Sequence, residues 1–175
     1  LIKFLGVPVA TLITRGHHVT APFWNLKGRH CRTEADFSLL LHAQEIETLS
    51  VDAINSRVKQ RFTYDDFAWQ RENGVRVAYA RRAEGLHKVL YQCPRCGAEY
   101  RMGSVLDKLT CNACGKAWVM TEYGGLHAVE GETEFGHIPD WYEWQRENVR
   151  AEVEAGSYYF SAPVSVCALP NSKGY

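Results

Sequence analysis

The first stretch of the chain alternates little and is dominated by apolar and β-branched positions. Val7-Pro8-Val9-Ala10-Thr11-Leu12-Ile13 reads as a buried strand within a core-strand run from Leu1 to Ile13. A turn at Gly16 and a second extended piece through Val19 follow. From residue 44 to 90 the pattern becomes helical: Val51, Ile54, Val58 and Phe62 fall on one stripe, with Ser50 as N-cap. Asp65-Asp66 reads as the entrance to a further helix. The strongest helix is 138–155, with Pro139 near its first turn and Gly156 past its end. Its stripes, Ile138/Tyr142/Val149/Val153 and Trp141/Trp144/Ala151/Ala155, predict burial on two sides. Tyr158 to Leu169 reads as extended, broken at Pro163. The fold class is α+β, in four zones: strands over 1–43, a helical connector over 44–90, a cysteine module over 91–123, and a helix with a closing β segment over 124–175.

Composition narrows the function. The 175 residues are 46% hydrophobic and 23% charged, as in a globular protein. Twenty basic and twenty acidic residues cancel, so no global field steers the chain onto nucleic acid or an acidic membrane. Residues 54–90 are basic and 121–155 acidic, a distribution that predicts packing of the two or separate solvated faces. No apolar run approaches the roughly 20 residues of a spanning helix, and no signal-peptide pattern is present. The chain opens at Leu1, without methionine and within a strand pattern, so it reads as a piece of a longer protein.

One pentapeptide occurs twice, as Trp69-Gln70-Arg71-Glu72-Asn73 and Trp144-Gln145-Arg146-Glu147-Asn148. Its flanks do not match, which excludes a solenoid repeat. Two readings stay open: a local pseudo-twofold of helices, or coincidence among good helix-surface residues.

The sharpest chemistry lies in Cys93-Pro94-Arg95-Cys96-Gly97 and Cys111-Asn112-Ala113-Cys114-Gly115, two knuckles separated by fourteen residues. Each spacing aims two sulfurs at one point, and the glycine supplies a left-handed turn after the second. Four thiolates form the closed tetrahedral shell that structural zinc prefers. Strand character at Ala98–Met102, Val105–Thr110 and Ala117–Met120, with a turn at Gly103-Ser104, resembles a zinc ribbon. Cys93, Cys96, Cys111 and Cys114 are therefore the predicted ligands of a structural, non-catalytic Zn2+. The usage points to a reduced cytoplasm. With four scattered basic residues against two acids, the ribbon is read first as a brace, and nucleic acid is not the expected partner.

No P-loop, nucleophile elbow, dinucleotide fingerprint or zincin motif is present. His17-His18 and His30 read as surface or satisfied core residues, and Cys31 and Cys167 as small buried hydrophobes. No catalytic constellation emerges.

Several blocks together resemble the bacterial glycerol-phosphate acyltransferase family. They are Leu5 to Gly16 with its Val7-Pro8-Val9 core, Ala21-Pro22-Phe23-Trp24 with Arg29 and Arg32, Ala43 to Ile46, Leu49 to Ile54, and Phe62 to Gln70. The ribbon opening at Leu90 and the tail Ile138-Pro139-Asp140-Trp141-Tyr142 are similar to additions in a long subgroup. The resemblance implies acyl transfer from a thioester, carried by acyl-CoA or acyl carrier protein, to a lysophosphatidate-like acceptor. It also implies a cytoplasmic protein, peripheral at the inner membrane face, with the remainder of the parent chain as partner. The family's His-x-x-x-x-Asp base and Glu-Gly-Thr block are missing, so the chain is expected to be an inactive C-terminal portion. Only Pro8 carries over, as a substrate-pocket wall. The alternative is a zinc-ribbon binding module for nucleic acid or a protein partner.

Overall fold

The computed structural model describes residues 1–25 and 27–166. Helices and two antiparallel sheets give the α+β class. Leu1 to Ile13 is not one strand. Ile2–Leu5 forms a helical turn (α1), closed by left-handed Gly6, and Leu1 and Phe4 are exposed. Strand β1 begins only at Val9 and runs to Arg15, because Gly6 reverses the chain and Pro8 has no N–H to give a ladder. Gly16, also left-handed, starts the short helix α2 (His17–Thr20) where extended chain was predicted. A side chain at Gly16 would collide with the Arg32 carbonyl.

Strand β2 (Glu34–Leu41) pairs with β1, Ile13 opposite Asp36 and Val9 opposite Leu41. Helix α3 (Ala43–Thr48) and helix α4 (Val51–Arg61) supply Ile46 and Ile54, which are buried with Leu41. Ser50 caps α4 as predicted, accepting from the Ala53 N–H at 3.1 Å. Asp65 caps helix α5 (Asp66–Glu72) through the N–H groups of Phe67 and Ala68.

The helical reading of 44–90 fails beyond α5. Left-handed Gly74 ends the helix, and residues 75–90 strap across the second sheet, with a single 3₁₀ turn at Leu86–Lys88. The Val77 N–H donates to the Glu122 carbonyl, while Ala83, Leu86 and Leu90 are fully buried in the second core. Gly85 is required there, because any Cβ would run into the Trp24 carbonyl.

The second sheet is a meander of β3 (Met102–Val105), β4 (Lys108–Cys111), β5 (Ala117–Met120) and β6 (Leu126–Ala128). Strand β5 has the predicted bounds; β6 was not foreseen. The β3–β4 turn lies at Leu106-Asp107, not at Gly103-Ser104. Leu106 takes a left-handed φ of 55°. The strap holds it there: the Ala83 N–H donates to the Leu106 carbonyl, and Arg82 pairs with Asp107 at 2.9 Å.

Helix α6 (Ile138–Glu154) packs on this sheet through Ile138 and Trp141, the latter edge-on to Trp118 at 4.9 Å. Burial on two sides is not found: Tyr142, Ala151, Val153 and Ala155 are exposed. The buried positions are 138, 141 and 145, a single stripe. The expected closing β segment does not form within 158–166, which is exposed and in no strand; Cys167 and Leu169 lie outside the described residues.

In both copies of the repeated pentapeptide the glutamine is buried and not a helix-surface residue. Gln70 and Gln145 are both 1% exposed, and each amide crosses to backbone near the ribbon. Gln70 Nε2 donates to the Val75 and Glu122 carbonyls. Gln145 accepts from the Gln92 N–H and donates to the Val89 carbonyl.

Candidate metal centre

The two knuckles are built alike. The Cys93 N–H donates to Ala98 and the Cys111 N–H to Lys116, while the Gly97 and Gly115 N–H groups return to the Cys93 and Cys111 carbonyls. Both glycines have the predicted left-handed φ, 71° and 76°. A Cβ at either would meet nothing within 4 Å, so the requirement is conformational, not one of space.

All four sulfurs lie within 4.8 Å of one another. Cys93–Cys114 and Cys96–Cys111 are each 3.8 Å apart. A zinc–thiolate bond of about 2.3 Å requires tetrahedral edges of about 3.8 Å, so the donor set fits a tetrahedral dication. Cys93 and Cys111 face the core, and Cys96 and Cys114 face outward.

Without an ion the thiols of Cys93, Cys111 and Cys114 conflict. Burial pushes the Cys93 thiol up to about 12 against the pull of the Cys96 and Arg95 N–H groups. Burial also opposes ionisation of Cys111, but the Cys114 and Ala113 N–H groups and the neighbouring thiols bring it down to about 7. The Cys111 thiolate forms readily while Cys93 and Cys114 resist; a bound cation removes that resistance. With every position filled by protein, no coordination site remains for a reacting group.

The ribbon depends on residues that the cysteine spacing did not reveal. Lys116 is 6% exposed and donates to the Glu130 and Glu132 carbonyls, both at 2.7 Å, which folds the 129–135 loop against β5. A charged residue after a knuckle carries no mark in sequence that it will be buried. His137 bridges two helix starts, contacting Asp65 Oδ2 at 2.6 Å through Nε2 and Arg71 Nη1 at 2.7 Å through Nδ1. Both ring nitrogens are thus engaged, and the Asp–His pair clasps the start of α5 to the start of α6.

The other sequence candidates do not gather. Pro8 is exposed between α1 and β1, away from the cysteines in fold and chain. Cys31 contacts Thr20 Oγ1 at 2.9 Å. His17 is exposed; His18 is half-buried among Phe23, Trp24 and Phe67, and burial lowers its pKa. His30 is exposed. No helix among the described residues is long and apolar enough to cross a membrane.

Fold and site together define a four-cysteine ribbon with a metal-binding geometry. A family model described as Ribosomal protein S27a matches residues 83–120, which span the end of the strap, both knuckles and β3–β5. The match covers well under half of the chain and coincides with the ribbon. No curated protein and no solved structure matches. Nothing in these comparisons supports the acyltransferase parent implied by the blocks around Pro8.

Proposed function

We propose that the chain is a zinc-ribbon binding module, that Zn2+ is its structural ion, and that its partner is single-stranded nucleic acid, with RNA the first to test. The observation that carries the reading is the similarity of residues 83–120 to Ribosomal protein S27a, a component by name of a ribonucleoprotein. The ribbon surface supports it. Lys88, Arg95, Arg101 and Lys108 are exposed, and among the described residues none has a carboxylate partner. Tyr100, 61% exposed, stacks on Tyr91 at 5.0 Å, lies 5.7 Å from the Phe160 ring and directly precedes Arg101 in the chain. Unpaired cations next to an exposed ring form the pattern that holds a phosphate backbone and stacks a base. Cations beside them are already neutralised, as in Arg76–Glu122, Arg82–Asp107 and Lys116–Glu134, which leaves these four as the ribbon's unpaired cations.

The test is fluorescence anisotropy of a labelled single-stranded RNA across a salt series. Two to four phosphate contacts give a log–log slope of about −1.5 to −3, at about −0.7 per contact. The double variant Arg95→Glu/Arg101→Glu should abolish binding while retaining zinc. Binding that ignores both salt and charge reversal would exclude this surface.

A further inference from the structure

Among the described residues, three buried side-chain polar atoms lack a hydrogen-bond partner: Trp24 Nε1, Arg29 Nε and Gln70 Oε1. Such atoms are rare in folded proteins, and each calls for a physical explanation. All three residues line the same cavity, where the segment after α2, helix α5, the strap and the turn after β5 meet. Their side chains are almost fully enclosed, at 7%, 5% and 1% exposure. The cavity offers about 10 Å³ to the centre of a water-sized sphere, about the room that one molecule needs.

The chemistry of the ligand follows from the orphaned atoms. Trp24 Nε1 and Arg29 Nε can only donate, while Gln70 Oε1 can only accept. The Gln70 amide cannot be turned over, because Nε2 already donates to the carbonyls of Val75 and Glu122 at 3.0 and 3.1 Å. Arg29 is likewise fixed: Nη2 donates to the Arg82 carbonyl at 3.0 Å, and its guanidinium lies 5.4 Å from the Tyr79 ring centre. A halide would satisfy the two donors and be repelled by the amide oxygen. A metal ion would be repelled by both donors. The one-atom ligand that accepts twice and donates at least once is water.

We propose that this cavity binds one long-lived water molecule, accepting from Trp24 Nε1 and Arg29 Nε and donating to Gln70 Oε1, and that this water joins the N-terminal half to the ribbon. Direct bonds already reach across the joint from Gln70 to Glu122 and from Arg29 to Arg82, so the water completes a polar seam. Gly124 lines the same cavity. A Cβ there would strike Gln70 Oε1 and displace the acceptor. The inference is independent of what the ribbon binds.

The test is water–protein cross-relaxation by NMR on the zinc-loaded 175-residue chain, read at the indole N–H signals. Trp118 Nε1 donates to Glu134 and Trp141 Nε1 to the Gln92 carbonyl, so both serve as internal controls. The Trp24 indole should show a cross-peak of the sign given by slowly exchanging water, and the two controls should not; Trp24→Phe assigns the signal by removing it. A Trp24 indole as silent as the controls would overturn the proposal. A Trp24 or Arg29 Nε–H shift that follows anion identity at fixed ionic strength would overturn it in favour of an anion. Both readouts come from the unaltered chain, where triple-resonance assignment of the Trp24 indole takes the place of Trp24→Phe if that variant folds poorly.

Discussion

The hairpin β1–β2 and the ribbon sheet are both small antiparallel sheets, yet they solve burial differently. The hairpin covers one face, with Leu41, Ile46 and Ile54 as its core. Leu12 and Phe37, cross-strand neighbours, are 56% and 74% exposed, and Leu39 is 48% exposed. The ribbon strands are shorter, but they are held by the strap, by α6 and by four cysteines at one point. Trp118 and Trp141 are fully enclosed there. A small sheet acquires a well-ordered interior when something external fixes its ends, and a metal does this with the fewest residues.

Removing the metal should break that difference most severely. Structural zinc contributes about 10–16 kcal/mol in finger peptides, comparable to a whole domain's net stability of about 5–15 kcal/mol. Chelation, or Cys111→Ser, should erase the near-ultraviolet circular dichroism of Trp118 and Trp141. Far-ultraviolet signal from α3 and α4 should persist, since those helices pack on the hairpin. Next in size, Trp141→Ala should cost about 3–5 kcal/mol in urea unfolding of the zinc-loaded chain. Leu41→Ala should cost about 2–5 kcal/mol and leave the Trp118 and Trp141 signals intact until the hairpin has melted. Gln145→Leu should cost about 1–3 kcal/mol, because it strands the Gln92 N–H and the Val89 carbonyl. The smallest effect is Ser50→Ala, about 1 kcal/mol from the lost α4 cap, read as a lower melting temperature with unchanged zinc content.

The parts legible in sequence are those determined by near neighbours. The knuckles follow from Cys-x-x-Cys-Gly alone, and the caps at Ser50 and Asp65 from a side chain two or three residues ahead of the N–H it accepts. Strand β5 was readable because Ala117–Met120 is apolar between turn residues. The misplaced turn shows the other kind of determinant. Gly103 looked like a turn residue, but it lies within β3, where a Cβ would press to 3.3 Å from the Asn112 amide. The true turn at Leu106 has no local signature, since Ala83 and Arg82 impose it from the strap. Burial of Gln70, Gln145 and Lys116 was equally hidden. Each is polar by type and enclosed only because distant carbonyls converge on it. The acyltransferase resemblance of the N-terminal blocks found no support in the comparisons, whereas the ribbon, read from four cysteines, did.

The most direct measurement is RNA binding by the zinc-loaded and the zinc-stripped chain, side by side at two salt concentrations. Salt-sensitive binding by the loaded form, lost on stripping and regained when zinc is restored, is the predicted result. Equal binding by both forms, or none by either, would contradict a metal-braced ribbon that presents Arg95, Tyr100 and Arg101 to a nucleic acid strand.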